Sequence, residues 1–133
     1  MLGNHLLGLY EKALDPADSW KTRLEKVKAL GFDYMEISID ESDARLARLD
    51  WTAQQRRELR EICCDAGVTL QSMCLSAHRR FPFGSSEPAL RSQAYTVIDK
   101  AIGLAADLGV RVIQLAGYDV YYEPSTEETR ERF

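Results

Sequence analysis

The chain has 133 residues, with 17 Lys and Arg against 21 Asp and Glu, a formal net charge of −4 and a sequence pI near 5.2. That length suits one domain or a piece of one, and is short of the roughly 250 residues of a complete large α/β barrel. The acidic balance argues against a nucleic-acid partner, which needs a basic face. No apolar run approaches the ~20 residues of a membrane span, so no membrane partner is expected either. Cysteines 63, 64 and 74 are odd in number and two are adjacent. They read as thiols in a reducing cytoplasm rather than as a disulfide framework. Residues 1–10 lack a basic leader and a small-residue cleavage site, which supports a cytoplasmic location.

Taken in order, residues 6–10 (Leu, Leu, Gly, Leu, Tyr) suggest a first strand running into Glu11 and Lys12. Ser19 can cap a helix whose apolar positions are Trp20, Leu24, Val27 and Leu30, with Gly31 as its stop. Residues 34–40 then alternate, placing Met35, Ile37 and Ile39 on one face and Glu36, Ser38 and Asp40 on the other. Residues 41–51 form a charged connection, long for a strand-to-helix loop, in which 43–49 could make a short helix. Thr52 and Gln55 match a capping box for a second main helix that buries Leu59, Ile62, Cys63 and Ala66 and ends at Gly67.

Residues 68–75 carry no charge and suggest a buried parallel strand. Pro88, after Ser85, Ser86 and Glu87, opens the longest apolar stripe, through Leu90, Ala94, Val97, Ile98, Ala101, Ile102, Ala105 and Leu108 to Gly109. A fourth strand is expected over 110–116, followed by a loop with Tyr118, Tyr121 and Tyr122. Ser125 and Glu128 suggest another capping box, and the sequence stops barely two turns later.

Helix, glycine stop, strand and polar loop thus recur with Gly31, Gly67 and Gly109 at intervals of 36 and 42 residues. Such a period means βαβ units and a parallel sheet. The expected fold class is α/β: a (β/α)8 TIM-barrel fragment comprising the first four parallel strands with three and a half helices, in which residues 1–133 form a single partial domain. A doubly wound sheet is the rival, but nothing like GxGxxG follows Tyr10.

The chemistry concentrates in residues 72–84 (Ser, Met, Cys, Leu, Ser, Ala, His, Arg, Arg, Phe, Pro, Phe, Gly), where a strand gives way to charge. Past the carboxyl end of a strand is where α/β proteins usually bind ligands. His78, Arg79 and Arg80 are therefore candidates to bind a small anion, and the sequence does not say which arginine faces it. The same residues could instead be a basic loop pairing with nearby carboxylates. Glu36, on the inward face of its strand, and Gln114, an amide that must find partners inside a barrel, are further substrate-binding candidates. Cys74 and Ser76 suit pocket walls or space-filling, and Trp20 and Trp51 suit core packing.

Several blocks together resemble the amino-terminal half of the L-ribulose and L-xylulose 5-phosphate 3-epimerases, in the xylose-isomerase-like TIM-barrel superfamily. They are residues 7–12 (LGLYEK), 32–41, 49–51, 72–84 and 114–122 (QLAGYDVYY). The resemblance implies an isomerase of pentose and ascorbate catabolism, about twice this length. It also implies a divalent metal that stabilises an enediolate, held by Glu, Asp and His from strands beyond residue 133. On that reading the chain carries no catalytic residue or metal ligand and is an inactive half. The alternative is a non-catalytic half-barrel that binds a sugar phosphate. Open sheet edges further suggest self-association or a complementary half-barrel as partner.

Overall fold

The computed structural model describes residues 3–133 of the chain. Its four strands are β1 (Gly8–Tyr10), β2 (Tyr34–Ile39), β3 (Thr69–Leu75) and β4 (Val112–Leu115). All three pairings are parallel, in the spatial order β1-β2-β3-β4. The main helices are α1 (Trp20–Ala29), the short α2 (Asp43–Leu46), α3 (Ala53–Ala66), α4 (Pro88–Leu108) and α5 (Glu127–Arg132). Spatial order follows chain order throughout. A doubly wound sheet must reverse its strand order to form a ligand crevice, and this sheet has no such reversal among the described residues.

Local signals set these elements. Ser19 Oγ accepts from Thr22 N at 3.1 Å to start α1. Thr52 and Gln55 form the reciprocal capping box that starts α3. Helices α3 and α4 stop where Gly67 and Gly109 take left-handed backbone, with φ of 66° and 76°, a conformation that costs glycine little. The final cap differs from expectation: Thr126 and Thr129 form the box, because Ser125 gives its hydroxyl to Asp119 instead.

The alternation along β2 divides the molecule. Met35, Ile37 and Ile39 are fully buried beneath α1, α3 and α4, together with Leu24, Val27, Met73, Leu75 and Leu104. Burying each such side chain is worth about 1.5–3 kcal/mol. Helix α3 packs against α1 on one side and α4 on the other, so these three helices form a single layer on one face of the sheet. The opposite face carries Tyr34, Glu36, Ser38, Ser72, Cys74 and Gln114, as the interior of a barrel wall would. Three apolar assignments shift: Leu30 and Ile102 are exposed at 63% and 56%, whereas Leu104 is buried.

A polar cluster locks β1 to the segments after β2. Glu11 follows β1 in a 3-10 turn (Glu11–Ala13) and is 1% exposed. Its carboxylate accepts from Ser38 N at 2.7 Å, from Arg48 Nη1 at 2.7 Å and from Arg45 Nε at 3.3 Å, with Arg23 Nη1 at 3.6 Å. Arg48 also donates to the Ser38 carbonyl at 2.9 Å, and Arg23 to the Pro16 carbonyl at 2.7 Å. The guanidiniums of Arg23 and Arg48 lie over Trp20, and that of Arg48 also over Trp51. Both tryptophans therefore pack as expected and in addition shield buried cations. Removing one partner of a buried ion pair typically costs about 3–5 kcal/mol. Glu11→Ala should destabilise the chain by at least that much in urea unfolding, since three arginines lose their shared acceptor; a loss below about 1 kcal/mol would show that water replaces the carboxylate.

Candidate ligand-binding rim

The segments after the strands meet at the carboxyl edge of the sheet, where the loop after β4 crosses to its neighbours. Asp119 O accepts from Gly84 N at 3.0 Å, in the loop after β3. A Cβ on Gly84 would collide with the backbone oxygens of Thr129 and Asp119, so close approach of two backbone segments, not positive φ, requires glycine there. Asp119 Oδ2 takes the hydroxyls of Ser125 at 2.8 Å and Thr129 at 2.5 Å, and these hydrogen bonds lower its pKa against the effect of burial. Glu123 accepts from Ser85 and from Ser86 Oγ and N. Tyr122 then reaches the loop after β2, its hydroxyl 2.9 Å from each carboxylate oxygen of Glu41. The result is a strap fixed to the loops after both β2 and β3.

Arg79 stands against three tyrosines of the strap. The Arg79 guanidinium stacks over Tyr121 at 5.0 Å from the ring centroid. Tyr121 packs against Tyr118 and Tyr122 at centroid distances of 5.1 and 4.9 Å. Arg79 is exposed and makes no ion pair among the described residues. Tyr118 Oη is buried and has no partner in hydrogen-bonding geometry, although Arg79 lies beside it. Burial raises the Tyr118 pKa, and neighbouring Arg79 opposes the rise.

The other basic candidates go elsewhere. His78 is 3% exposed, stacked on Phe83 at 4.4 Å, with Nε2 3.2 Å from the Ala94 carbonyl of α4. A carbonyl only accepts, so Nε2 carries the proton; burial lowers the pKa while that hydrogen bond opposes it. The ring is thus engaged with α4 and Phe83, away from the Arg79 cluster. Arg80 is paired with Asp43 Oδ1 at 2.6 Å and also donates to the Glu41 carbonyl at 3.3 Å. It lines a cavity of about 180 Å³ between the 43–50 segment and α4, together with Leu46, Phe81 and Val97. Of the three consecutive basic residues, only Arg79 joins the tyrosine rim.

Glu36 and Gln114 do come together, on the inward face. They share an open cavity of about 650 Å³ with Tyr34, Ser72 and Arg111. A register shift between Met35 and Glu36 places Ser72 opposite Glu36, and Ser72 Oγ donates to Glu36 Oε2 at 2.6 Å. Tyr34, Gln71 and Arg111 lie at the amino ends of their strands, so this cavity opens toward the end of the sheet opposite the strap. Cys74 and Ser76 are partly buried, and Cys74 follows the same inward face.

No cluster of three or more His, Cys, Asp or Glu side chains among the described residues could hold a metal ion. The carboxylates at the rim are already engaged: Glu11 by arginines, Asp40 by Lys12 and Arg45, Asp119 by hydroxyls and Glu41 by Tyr122. This donor set does not fit a divalent cation.

The family model for the xylose isomerase-like TIM barrel matches residues 24–133. The chain belongs to this family. It is 57% identical over 127 residues to L-ribulose-5-phosphate 3-epimerase UlaE of Salmonella typhimurium, covering 96% of this chain and 45% of that protein. It is 58% identical over 130 residues to SgbU of Escherichia coli K12, provisionally named an L-ribulose-5-phosphate 3-epimerase, covering 98% of this chain and 46% of that one. The chain thus spans just under half the length of the curated relatives it matches. Among solved structures, a D-psicose 3-epimerase superposes with a TM-score of 0.75 at 17% identity, over 96% of this chain and 44% of its own. An L-ribulose 3-epimerase superposes with a TM-score of 0.58 at 24% identity, over 95% of this chain and 41% of its own. These likenesses carry the fold: four strands of a TIM-barrel wall with the helices on its outer side.

One titration reports on the ion pairs that support this edge. Burial alone would raise the pKa of Asp40, but hydrogen bonds from Lys12 and Ser42 prevail and hold it at about 2. Its unfolded value is near 3.9, so the stabilisation is complete above that pH and lost as pH falls from about 4 through about 2. Asp40→Asn should therefore lie below the parent in urea-measured stability near neutrality, with the gap narrowing across that window; a gap independent of pH would remove the ion-pair account.

Proposed function

We propose that this chain is the substrate-binding amino-terminal half of a sugar-phosphate 3-epimerase acting on L-ribulose 5-phosphate and L-xylulose 5-phosphate in the cytoplasm. Residues 1–133 are then one partial domain. The observation that carries the reading is an unpaired arginine under an aromatic strap at the carboxyl edge of a barrel wall whose relatives are named L-ribulose-5-phosphate 3-epimerases.

Epimerisation at the carbon beside a ketone removes its proton from one face and returns one to the other. Two acid/base groups must therefore oppose each other across the sugar. Glu41 accepts from Tyr122, Asp40 and Glu11 are paired with cations, and Asp119 accepts from two hydroxyls. The work left to this chain is binding and orientation: Arg79 takes the phosphate, and Tyr121 holds its guanidinium flat and in place. Glu36 and Gln114 are secondary substrate contacts, less favoured because TIM-barrel sites lie at the opposite end of the strands. Arg80 contributes mainly through Asp43, and His78 supports the loop from behind.

The proton-transferring groups and a divalent metal that would hold enediolate charge are supplied by polypeptide outside these residues, and the half alone is inactive. A second reading, that the chain associates with itself or with a complementary half-barrel, is favoured by the β4 edge. There Val112 and Leu115 are 59% and 49% exposed, and β1 and β4 each have one paired side among the described residues.

The test is to mix the chain with the carboxyl-terminal half of the Salmonella relative and follow exchange of the substrate C3 proton with deuterium from solvent. Exchange should appear only in the mixture; a stable complex of the halves without exchange would overturn the reading. Within an active mixture, Arg79→Ala should raise KM for L-ribulose 5-phosphate at least about tenfold, as loss of a charge-assisted contact requires. Arg80→Ala should raise it far less, and the reverse order would reassign the phosphate contact.

A further inference from the structure

The Tyr118 hydroxyl makes no hydrogen bond of good geometry, although Arg79 lies beside it. Tyr118 Oη is buried and unpartnered, and a buried polar group without a partner is costly to keep unless something else satisfies it. It lies beside Arg79, the one member of the basic triplet left without a carboxylate or a packing partner in the helix layer. Glu41, whose field also reaches Arg79, makes no ion pair with it among the described residues and instead accepts from Tyr122. An unpaired cation and an unused hydroxyl donor therefore converge under one half-exposed ring, that of Tyr121.

We infer that Tyr118 is a specificity-determining residue, whose hydroxyl donates a second hydrogen bond to the phosphate monoester bound by Arg79. This rests on the sugar-phosphate reading above. The ligand class follows from the chemistry: an oxyanion accepts from both donors at once, whereas an uncharged sugar hydroxyl would leave the Arg79 charge unanswered. Tyr121 is 47% exposed and packs on Tyr118 at 5.1 Å between ring centroids, so the anion reaches Tyr118 Oη through a rotation of the Tyr121 ring that keeps its stack with Arg79.

Binding of inorganic phosphate to the 133-residue chain, with L-ribulose as the uncharged control, tests this directly. Tyrosine labelled with carbon-13 at Cζ reports on the phenol by NMR. Phosphate should shift the Tyr118 resonance and L-ribulose should not. Tyr118→Phe should weaken phosphate about tenfold at a melting temperature no lower than the parent's, and Arg79→Gln should abolish binding. If Arg79→Gln abolishes binding while Tyr118→Phe binds as the parent does, the role of Tyr118 is refuted and the phosphate contact of Arg79 stands. If the parent chain binds no phosphate at about 10 mM, a range in which even very weak sites fill, both fall. Failure of proton exchange in the mixed halves, with phosphate binding intact, would instead overturn the epimerase reading alone.

Discussion

The buried carboxylate of Glu11 is the constraint on which the carboxyl edge depends. A carboxylate withdrawn from water costs several kcal/mol unless strong donors replace the lost hydration. Here a backbone N–H and guanidiniums from three elements replace it: Arg23 of α1, Arg45 of α2 and Arg48 of the 3-10 turn that continues it. Satisfying one charge therefore fixes the end of β1, the start of α1 and the segment after β2 relative to one another. The cluster carries more positive than negative charge, and the faces of Trp20 and Trp51 offset part of the excess.

That arrangement has a consequence at the rim. The same segment after β2 starts with Glu41 and Asp43, which receive Tyr122 from the strap and Arg80 from the loop after β3. Glu11 touches neither residue, but it anchors the backbone from which their carboxylates project. The strap is tied independently to the loop after β3 through Asp119 and Glu123, which flank Tyr122. Arg79 is thus left exposed: the carboxylate nearest it, Glu41, accepts from Tyr122, and its neighbours along the chain are committed to Asp43 and Ala94.

Much of the fold was legible because it depends on short-range rules. Alternation in β2, the glycine stops and the Thr52 capping box each act within a few residues, and the recurrence of the unit fixed a parallel sheet with helices on one side. The boundaries that moved were those where a distant partner decides. Ser125 caps nothing because Asp119 claims its hydroxyl, and Leu30 ends α1 on the exposed side of its own stripe.

The site was legible as a region and not as a residue. Adjacent positions on a 3-10 turn point in different directions, so His78, Arg79 and Arg80 could not share one ligand however basic the run looked. Their separation is set by Ala94, Tyr121 and Asp43, which are between 16 and 42 positions away in sequence. Glu11 illustrates the same limit in reverse. Nothing next to it marks it as buried, and only its coincidence with Arg23, Arg45 and Arg48, spread over three elements, makes burial tolerable. A usable sequence signal exists all the same: an acidic residue directly after a strand, in a chain whose next two connections carry arginines on otherwise apolar faces, calls for an interior ion cluster. The buried Arg23 of α1, lying between the core residues Trp20 and Leu24, is the position where that signal was strongest.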